Sequence, residues 1–341
     1  RASLEERHHS GMARLLDSAK FEQELLEARY LKKVRYLMKG QYVSLLLDDT
    51  LTKREGKHVV EAQFHHDHCS GGYIRGHQFV TAMIHTSVLC LPLFPKLYSS
   101  STVSKIEMAR EWIDELWNTI PIDVVLFDSW YSDKKLINKC LAKGIKVVCA
   151  IKTNRNICLE KWDWQSLSTF SQNMDWKTAT NYFIEDKQYQ IKDYEVKLKS
   201  IPLVKLLVSH EWQETQNIWS KHFHLISTNA QDSPVQIIRQ YRLRWHIEVF
   251  HRDIKQNLEF DHAIVRKKEG IVRHAIFVAL AYTILQLYMF QHGLQMTIGE
   301  CITHIQDKGM NDFVREIVEI EDKTERIKYF EEAFIRKSAK V

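Results

Sequence analysis

Tyr42-Val43-Ser44-Leu45-Leu46-Leu47-Asp48-Asp49-Thr50 is a short apolar run that breaks off in a pair of acids. Such a run reads as a buried strand that delivers carboxylates to its end. The pattern returns in Ile122-Asp123-Val124-Val125-Leu126-Phe127-Asp128, again stopping at an acid. Beyond it, Lys134 to Lys143 has helical character ended by Gly144, and Ile145-Lys146-Val147-Val148-Cys149-Ala150 is a further buried strand. A strand, helix, strand unit implies a parallel portion of sheet, so both acid-bearing strands are expected in one α/β domain.

Between them, stretches around Val59 to His66 and His77 to Leu91, with Gly71-Gly72 as the turn, predict an antiparallel meander with the first strand. Val103 to Trp117 carries helical periodicity. From Arg155 to His224 polar and apolar residues alternate, as in Tyr189-Gln190-Ile191-Lys192-Asp193-Tyr194-Glu195-Val196, and five of the nine tryptophans fall there, which predicts a β-rich insertion. The helical period returns over Ser233 to Leu258, with Pro234 at its start, and further helices are expected over Val272 to Phe290 and Met310 to Arg336. Upstream, Ser3 to Met38 is charged and helical. The expected division is a helical lead-in (1–40), the first part of the α/β domain (41–154), the insertion (155–224), the second part (225–295) and a C-terminal helical region (296–341).

A chain of 341 residues, 45% apolar and 11% aromatic, can bury a substantial core, which excludes a disordered or fibrous protein. Its net charge of +5, from 48 basic and 43 acidic residues, permits nucleic acid without demanding it. The six cysteines are scattered with no CxxC pair, which points to free thiols and a cytoplasmic setting. No apolar signal region opens the sequence. The longest apolar run, Ala275 to Phe290, is about 16 residues, short of the roughly 20 a bilayer needs, so a buried helix is expected there and no membrane association.

The chemistry concentrates in Tyr241-Arg242-Leu243-Arg244-Trp245-His246-Ile247-Glu248-Val249-Phe250-His251-Arg252-Asp253-Ile254-Lys255. Tyr241, Arg244, Glu248 and Lys255 share one helical stripe, while Leu243, Ile247, Phe250, Ile254 and Leu258 form a neighbouring apolar one. One face therefore packs and the other presents an acid among cations. Alone, that stripe also fits an exposed helix with ordinary ion pairs. Three acids from separate elements, however, can converge on two divalent ions for in-line attack at phosphorus, and carboxylate oxygens are the donors Mg²⁺ selects.

Tyr241, Arg244, Glu248 and Lys255 fit at every position the signature Y-x2-R-x3-E-x6-K, and here the sequence resembles the DDE transposases of bacterial insertion sequences, in the cut-and-paste subgroup. Leu47-Asp48-Asp49-Thr50 looks like that family's first catalytic acid, and Val125-Leu126-Phe127-Asp128-Ser129-Trp130-Tyr131 like its second; the resemblance spans roughly Gln41 to Leu287. Asp48 is preferred to Asp49 because the family pattern puts the acid two residues before a threonine, here Thr50, with Asp49 as the alternative. Relatives often carry glycine two positions after the second acid, where this chain has Trp130.

The resemblance implies a ribonuclease-H-like mixed sheet flanked by helices and interrupted by a β-rich insertion. It implies that Asp48, Asp128 and Glu248 hold two Mg²⁺ ions, with Mn²⁺ able to substitute, and that Tyr241, Arg244 and Lys255 position DNA. Cleavage at the ends of a mobile element, transfer of the freed 3′-hydroxyl into target DNA, and a protein homodimer on that DNA follow from it. A ribonuclease-H-like nuclease or resolvase without strand transfer, and a non-catalytic DNA-binding relative, are the alternatives.

Lys53, Arg54 and Lys57 follow the first acid, and Arg242, His246, Arg252, Arg266, Lys267, Lys268 and Arg273 surround the helix of Glu248. That density predicts a basic track for DNA phosphates over scattered solubilising charge. His65-His66-Asp67-His68-Cys69 is rich in metal-ligand types, yet adjacent strand residues point to opposite faces, so no zinc site is expected. Trp162, Trp164, Trp176, Trp212 and Trp219 could include a platform for a flipped base, although core packing is the default for each.

Overall fold

The structure, a computed structural model, describes residues 9–18, 22–54, 59–67, 71–159, 163–263, 265 and 267–334. In chain order come α1 (His9–Ser18), α2 (Gln23–Leu37), β1 (Ser44–Lys53), β2 (Gln63–Asp67), β3 (Gly72–His85), β4 (Cys90–Pro92), β5 (Lys96–Tyr98) and α3 (Lys105–Trp117). Next are β6 (Val124–Phe127), α4 (Lys134–Ala142), β7 (Lys146–Ala150), β8 (Asn156–Cys158), β9 (Trp164–Ser166), α5 (Leu167–Gln172) and β10 (Thr180–Ile184). The remainder is β11 (Lys187–Leu198), β12 (Ile201–Gln213), β13 (Ile218–Trp219), β14 (Phe223–Ser227), α6 (Pro234–Arg242), α7 (Trp245–Asn257), α8 (Lys268–Gln291), α9 (Ile298–Glu319) and α10 (Lys323–Phe334).

These elements form two compact units: residues 22–55 with 61–252, and residues 1–21 with 56–60 and 253–341. The first holds one mixed sheet in the order β2-β3-β1-β6-β7-β14-β12-β11-β8-β9, with β4 and β5 also on β3. β1, β6 and β7 run parallel at its centre, whereas β3 is antiparallel to β1. Helices α3, α4 and α6 pack on this sheet, completing the ribonuclease-H-like mixed α/β arrangement. Leu45, Leu46, Leu47, Val124, Val125, Leu126 and Phe127 have no solvent exposure. Each such side chain contributes at most about 1.5–3 kcal/mol, so the central strands are the best-anchored part of the unit.

The expected meander is present but connected differently. β1 pairs with β3, and β2 is a short strand on the far edge of β3. Gly76 permits the close approach of β3 to β1, because a Cβ there would lie 2.0 Å from the Thr52 carbonyl oxygen. β1 does not stop at its acids either. It continues to Lys53 along β3, while its ladder with β6 ends at the pair Leu47 and Phe127. Asp48 is thus at a strand end on one side only.

The continuous helix expected over Ser233 to Leu258 is divided into α6 and α7. Leu243 and Arg244 donate backbone hydrogen bonds three residues back, to Gln240 and Tyr241, and His246 and Ile247 do the same to Leu243 and Arg244. The join is only two residues long and Leu243 stays in right-handed helical backbone conformation, so periodicity alone does not reveal it. The β-rich segment is fused to the central sheet, for β14 pairs antiparallel with β7 and β12 pairs with β14.

In the other unit α8 packs against α1 and α9, and Arg273 donates to the Leu16 carbonyl (2.7 Å). Among the described helices α8 is long and apolar enough to cross a bilayer, and Ile271, Ala275, Ile276 and Ala279 on it are buried. Cys90, Cys140, Cys149, Cys158 and Cys301 are free thiols; Cys69 lies outside the described residues.

Candidate active site

The parallel ladder between β1 and β6 fixes the first two acids. Leu47 lies opposite Phe127, so Asp48 and Asp128 leave neighbouring strands, about 4.8 Å apart, at the same level and toward the same face. Beyond Phe127 the chain turns, and Asp128 Oδ1 accepts the backbone N–H groups of Trp130 (3.0 Å) and Tyr131 (3.3 Å). An aspartate that captures the amides following it stabilises its own turn, which holds this carboxylate beside the notch where the ladder ends.

Asp48 Oδ1 accepts the Asp49 N–H (2.8 Å) and Oδ2 accepts Arg244 Nη1 (2.9 Å). The other guanidinium nitrogen of Arg244 pairs with Glu248 Oε1, one turn along α7. Arg244 therefore bridges the acid of the central strand to the acid of the helix. Burial pushes the Asp48 carboxyl up to about 7, with Asp128 and Asp49 adding to the rise and Arg244 opposing it. One cation is thus not enough to neutralise this group of acids in a partly desolvated place.

Tyr241, in the last turn of α6, packs its ring 5.5 Å from that of Phe223, with the Arg244 guanidinium 5.8 Å from its own ring centre. Burial raises its hydroxyl pKa. Tyr241 and Arg244 also line a cavity of about 670 Å³ together with Tyr189, Arg239 and Trp245. Ile247 and Phe250 are wholly buried, which anchors α7 and turns Glu248 to the side where Arg244 lies.

Asp48, Asp128 and Glu248 offer carboxylate oxygen alone, the donor set for a hard divalent cation. Among the described residues no three His, Cys, Asp or Glu side chains are gathered tightly enough to cage an ion as they stand. Between Asp48 and Glu248 it is the guanidinium of Arg244 that makes the link. The donor chemistry fits a divalent ion, and Arg244 is the group that shares those oxygens.

Asp49 points the opposite way. Its carboxylate accepts Lys105 Nζ (3.1 and 3.2 Å), the Tyr131 hydroxyl (3.0 Å) and the Gln78 amide. The other candidates are spread out. Arg242 is engaged by Glu185 (2.9 Å) and Asp186 (3.1 Å) at the β10–β11 turn, away from the acids. Lys53 is exposed and Arg54 half-buried at the far end of β1, and Arg252 is exposed on α7. Lys255 occupies the last turn of α7, past residue 252, where the other unit begins.

Lys57, Arg266, Trp162, His68 and Cys69 lie outside the described residues. His65 is buried and His66 exposed, on opposite faces of β2. Trp212 and Trp219 form an edge-to-face pair 5.1 Å apart, and Trp176 lies 3.9 Å from the ring of His210.

Three residues near the acids carried no sequence signal of their own. Thr81, opposite Asp48 on β3, donates its hydroxyl to the Asp48 carbonyl (3.0 Å). His251 Nε2 lies 2.8 Å from the same hydroxyl oxygen, so with that proton already committed the imidazole is the donor. Lys105 opens α3 and extends its ammonium over the Trp130 ring at 4.0 Å.

Two acids thus stand at the ends of adjacent strands of a mixed sheet, and a third on a later helix is linked to one of them through Arg244. Residues 39–284 match the family described as "Transposase DDE domain", and the chain belongs to that family. A cryo-EM structure of the piggyBac transposase synaptic complex with hairpin DNA is similar at 10% identity and a TM-score of 0.42, covering 85% of this chain. The matched region spans 56% of the piggyBac chain. No curated protein matches the sequence.

Proposed function

We propose that this protein is a DNA transposase that cleaves DNA at the ends of a mobile element and transfers the freed 3′-hydroxyl into target DNA. The observation that carries this reading is the placement of Asp48 beside Asp128 at the end of a parallel ladder, with Glu248 tied to Asp48 through Arg244. In this reading Asp48, Asp128 and Glu248 are the catalytic acids and hold Mg²⁺, or Mn²⁺ in its place. Two such ions supply activation of water or the 3′-hydroxyl and stabilisation of the leaving oxygen. Arg244 keeps two of the acids aligned, and its planar fork also suits a phosphate. Tyr241 lies against it at the wall of the cavity, placed to touch the same DNA strand.

Lys255 is assigned to the DNA backbone on its charge and its place in the sequence motif, and Arg252 on α7, Lys53 at the end of β1 and Arg54 just past it on their charge. Arg242 is assigned a structural part, since two carboxylates already engage it. Holding two element ends together calls for a homodimer on DNA, in the bacterial cytoplasm. Incubation with labelled element ends and Mg²⁺, followed by mapping of the products, tests the reading. Cuts at the element terminus and joining of a pre-cut end to a second duplex are expected. Cleavage without joining would favour the nuclease, and binding with neither reaction would favour a non-catalytic relative.

A further inference from the structure

Asp49 stands next to the proposed first ligand, carries the same carboxylate side chain, and is left without a task by the proposed chemistry. Its surroundings supply one. The Asp49 carboxylate joins three separate elements: Gln78 on β3, Lys105 at the start of α3, and Tyr131 in the turn after Asp128. The Tyr131 side chain is fully buried, and those of Lys105 and Asp49 are only 11% and 16% exposed, so these contacts are not loose surface pairs.

Each link leads back to a proposed ligand. The Tyr131 hydroxyl is on Asp49 while its backbone N–H is on Asp128 Oδ1. Trp130 gives its backbone N–H to that same oxygen, and Lys105, fixed by Asp49, covers the Trp130 ring. The Asp49 backbone N–H is itself the donor to Asp48 Oδ1. One carboxylate thus touches, through a single intermediary on each side, the groups that orient Asp48 and Asp128. Trp130 is part of the same bracket.

We infer that Asp49 is a positioning residue: with Lys105 and Tyr131 it cross-braces the end of the β1–β6 ladder and sets the spacing of Asp48 and Asp128 for divalent-ion binding. This rests on the proposed metal-dependent function and adds to it a residue that never touches ion or DNA. Groups that orient metal ligands typically cost 10–100-fold in metal affinity or activity when removed. A ligand, by contrast, cannot be recovered by adding more metal.

The test uses the full chain and its Asp49→Asn, Lys105→Met, Tyr131→Phe and Asp48→Asn variants, with circular dichroism confirming the fold of each. Mn²⁺ binding in the absence of DNA is followed by electron paramagnetic resonance, and cleavage is measured across a Mg²⁺ titration. Asp49→Asn is expected to weaken Mn²⁺ binding about 10-fold and to shift the half-saturating Mg²⁺ upward by a similar factor, with turnover largely recovered at high Mg²⁺. Asp48→Asn stays inactive throughout. Lys105→Met added to Asp49→Asn costs less than the two single changes combined, because both remove the same brace. The conservative Lys105→Arg restores most of the affinity lost in Lys105→Met.

Unchanged Mn²⁺ affinity in a folded Asp49→Asn protein overturns the inference. So does an Asp49→Asn protein that is inactive at every Mg²⁺ concentration while Asp48→Asn is active, since Asp49 would then be the ligand. If the unmodified protein binds Mn²⁺ through Asp48 but cuts no DNA, the transposase reading fails while the brace stands.

Discussion

The two faces of β1 treat adjacent aspartates in opposite ways. On the α3 face Asp49 is saturated with donors, its charge met by Lys105 and its oxygens by Tyr131 and Gln78. On the α7 face Asp48 has one amide and one shared guanidinium, with a second strand acid beside it, and burial drives its pKa to about 7. A carboxylate with all its partners is a structural fixture. In the proposed reading the one with fewer partners is the ligand and the saturated one the brace, and which is which depends on the way the pleat turns each side chain.

The comparison breaks most readily on activity. Asp48→Asn, Asp128→Asn and Glu248→Gln are each expected to lower Mg²⁺-dependent cleavage by at least about 10³-fold, since an ion loosened at any corner forfeits several kcal/mol of transition-state stabilisation. Gel-shift affinity for DNA should stay within a few-fold. Equal cleavage by the Asp48→Asn and unmodified proteins would remove the α7 face from the chemistry.

Next in size is the effect of the bridging cation. Arg244→Met leaves Asp48 and Glu248 facing each other without their shared donor, and an uncompensated, partly buried group costs about 1–3 kcal/mol. In metal-free buffer the melting temperature should fall by several degrees, and saturating Mg²⁺ should recover most of it by taking over the charge. A variant that melts with the unmodified protein under both conditions would mean that Arg244 contributes no net compensation there.

Much of this site could be read in the sequence because its framework is local. Leu45 to Leu47 and Val124 to Phe127 are uninterrupted apolar runs followed by acids, and buried parallel strands leave that signature. Tyr241, Arg244 and Glu248 have helical spacing in the sequence even though a two-residue join at 243–244 separates α6 from α7. What was not legible depends on distant pairing. That β1 runs on past its acids is decided by β3, and Lys105 reaches Asp49 across 56 positions, with nothing in Ser104-Lys105-Ile106 to announce it. The choice between Asp48 and Asp49 belongs to this second class, because either register of β1 would satisfy the apolar pattern.

A smaller effect separates the two faces by pH. The folded-state pKa of Asp48, about 7, lies above its ordinary 3.8, so the bound proton favours the folded state. That contribution is complete below pH about 4 and is lost as pH rises through about 7. Melting curves in metal-free buffer should therefore show the unmodified protein losing stability relative to Asp48→Asn between about pH 4 and pH 7, and running parallel to it at higher pH. Ion binding requires the deprotonated carboxylate, so stabilisation by Mg²⁺ should grow over the same interval. Parallel curves for the two proteins across that interval would mean that folding does not favour the protonated Asp48 carboxyl.

The smallest effect carries the same contrast over to the cations. Arg242 and Arg239 lie on one helix, yet Arg242 is paired with Glu185 and Asp186, whereas Arg239 is exposed at the cavity wall with no carboxylate in ion-pair range among the described residues. A cation contributes to the salt dependence of DNA binding only if it displaces counterions from phosphate, and one already neutralised by protein has little left to exchange. Arg239→Ala should reduce the slope of log affinity against log salt by about one, and Arg242→Ala by much less. If Arg242→Ala lowers the slope as far as Arg239→Ala does, its pairs at the β10–β11 turn must open on DNA, and satisfied partners would not by themselves mark a residue as structural.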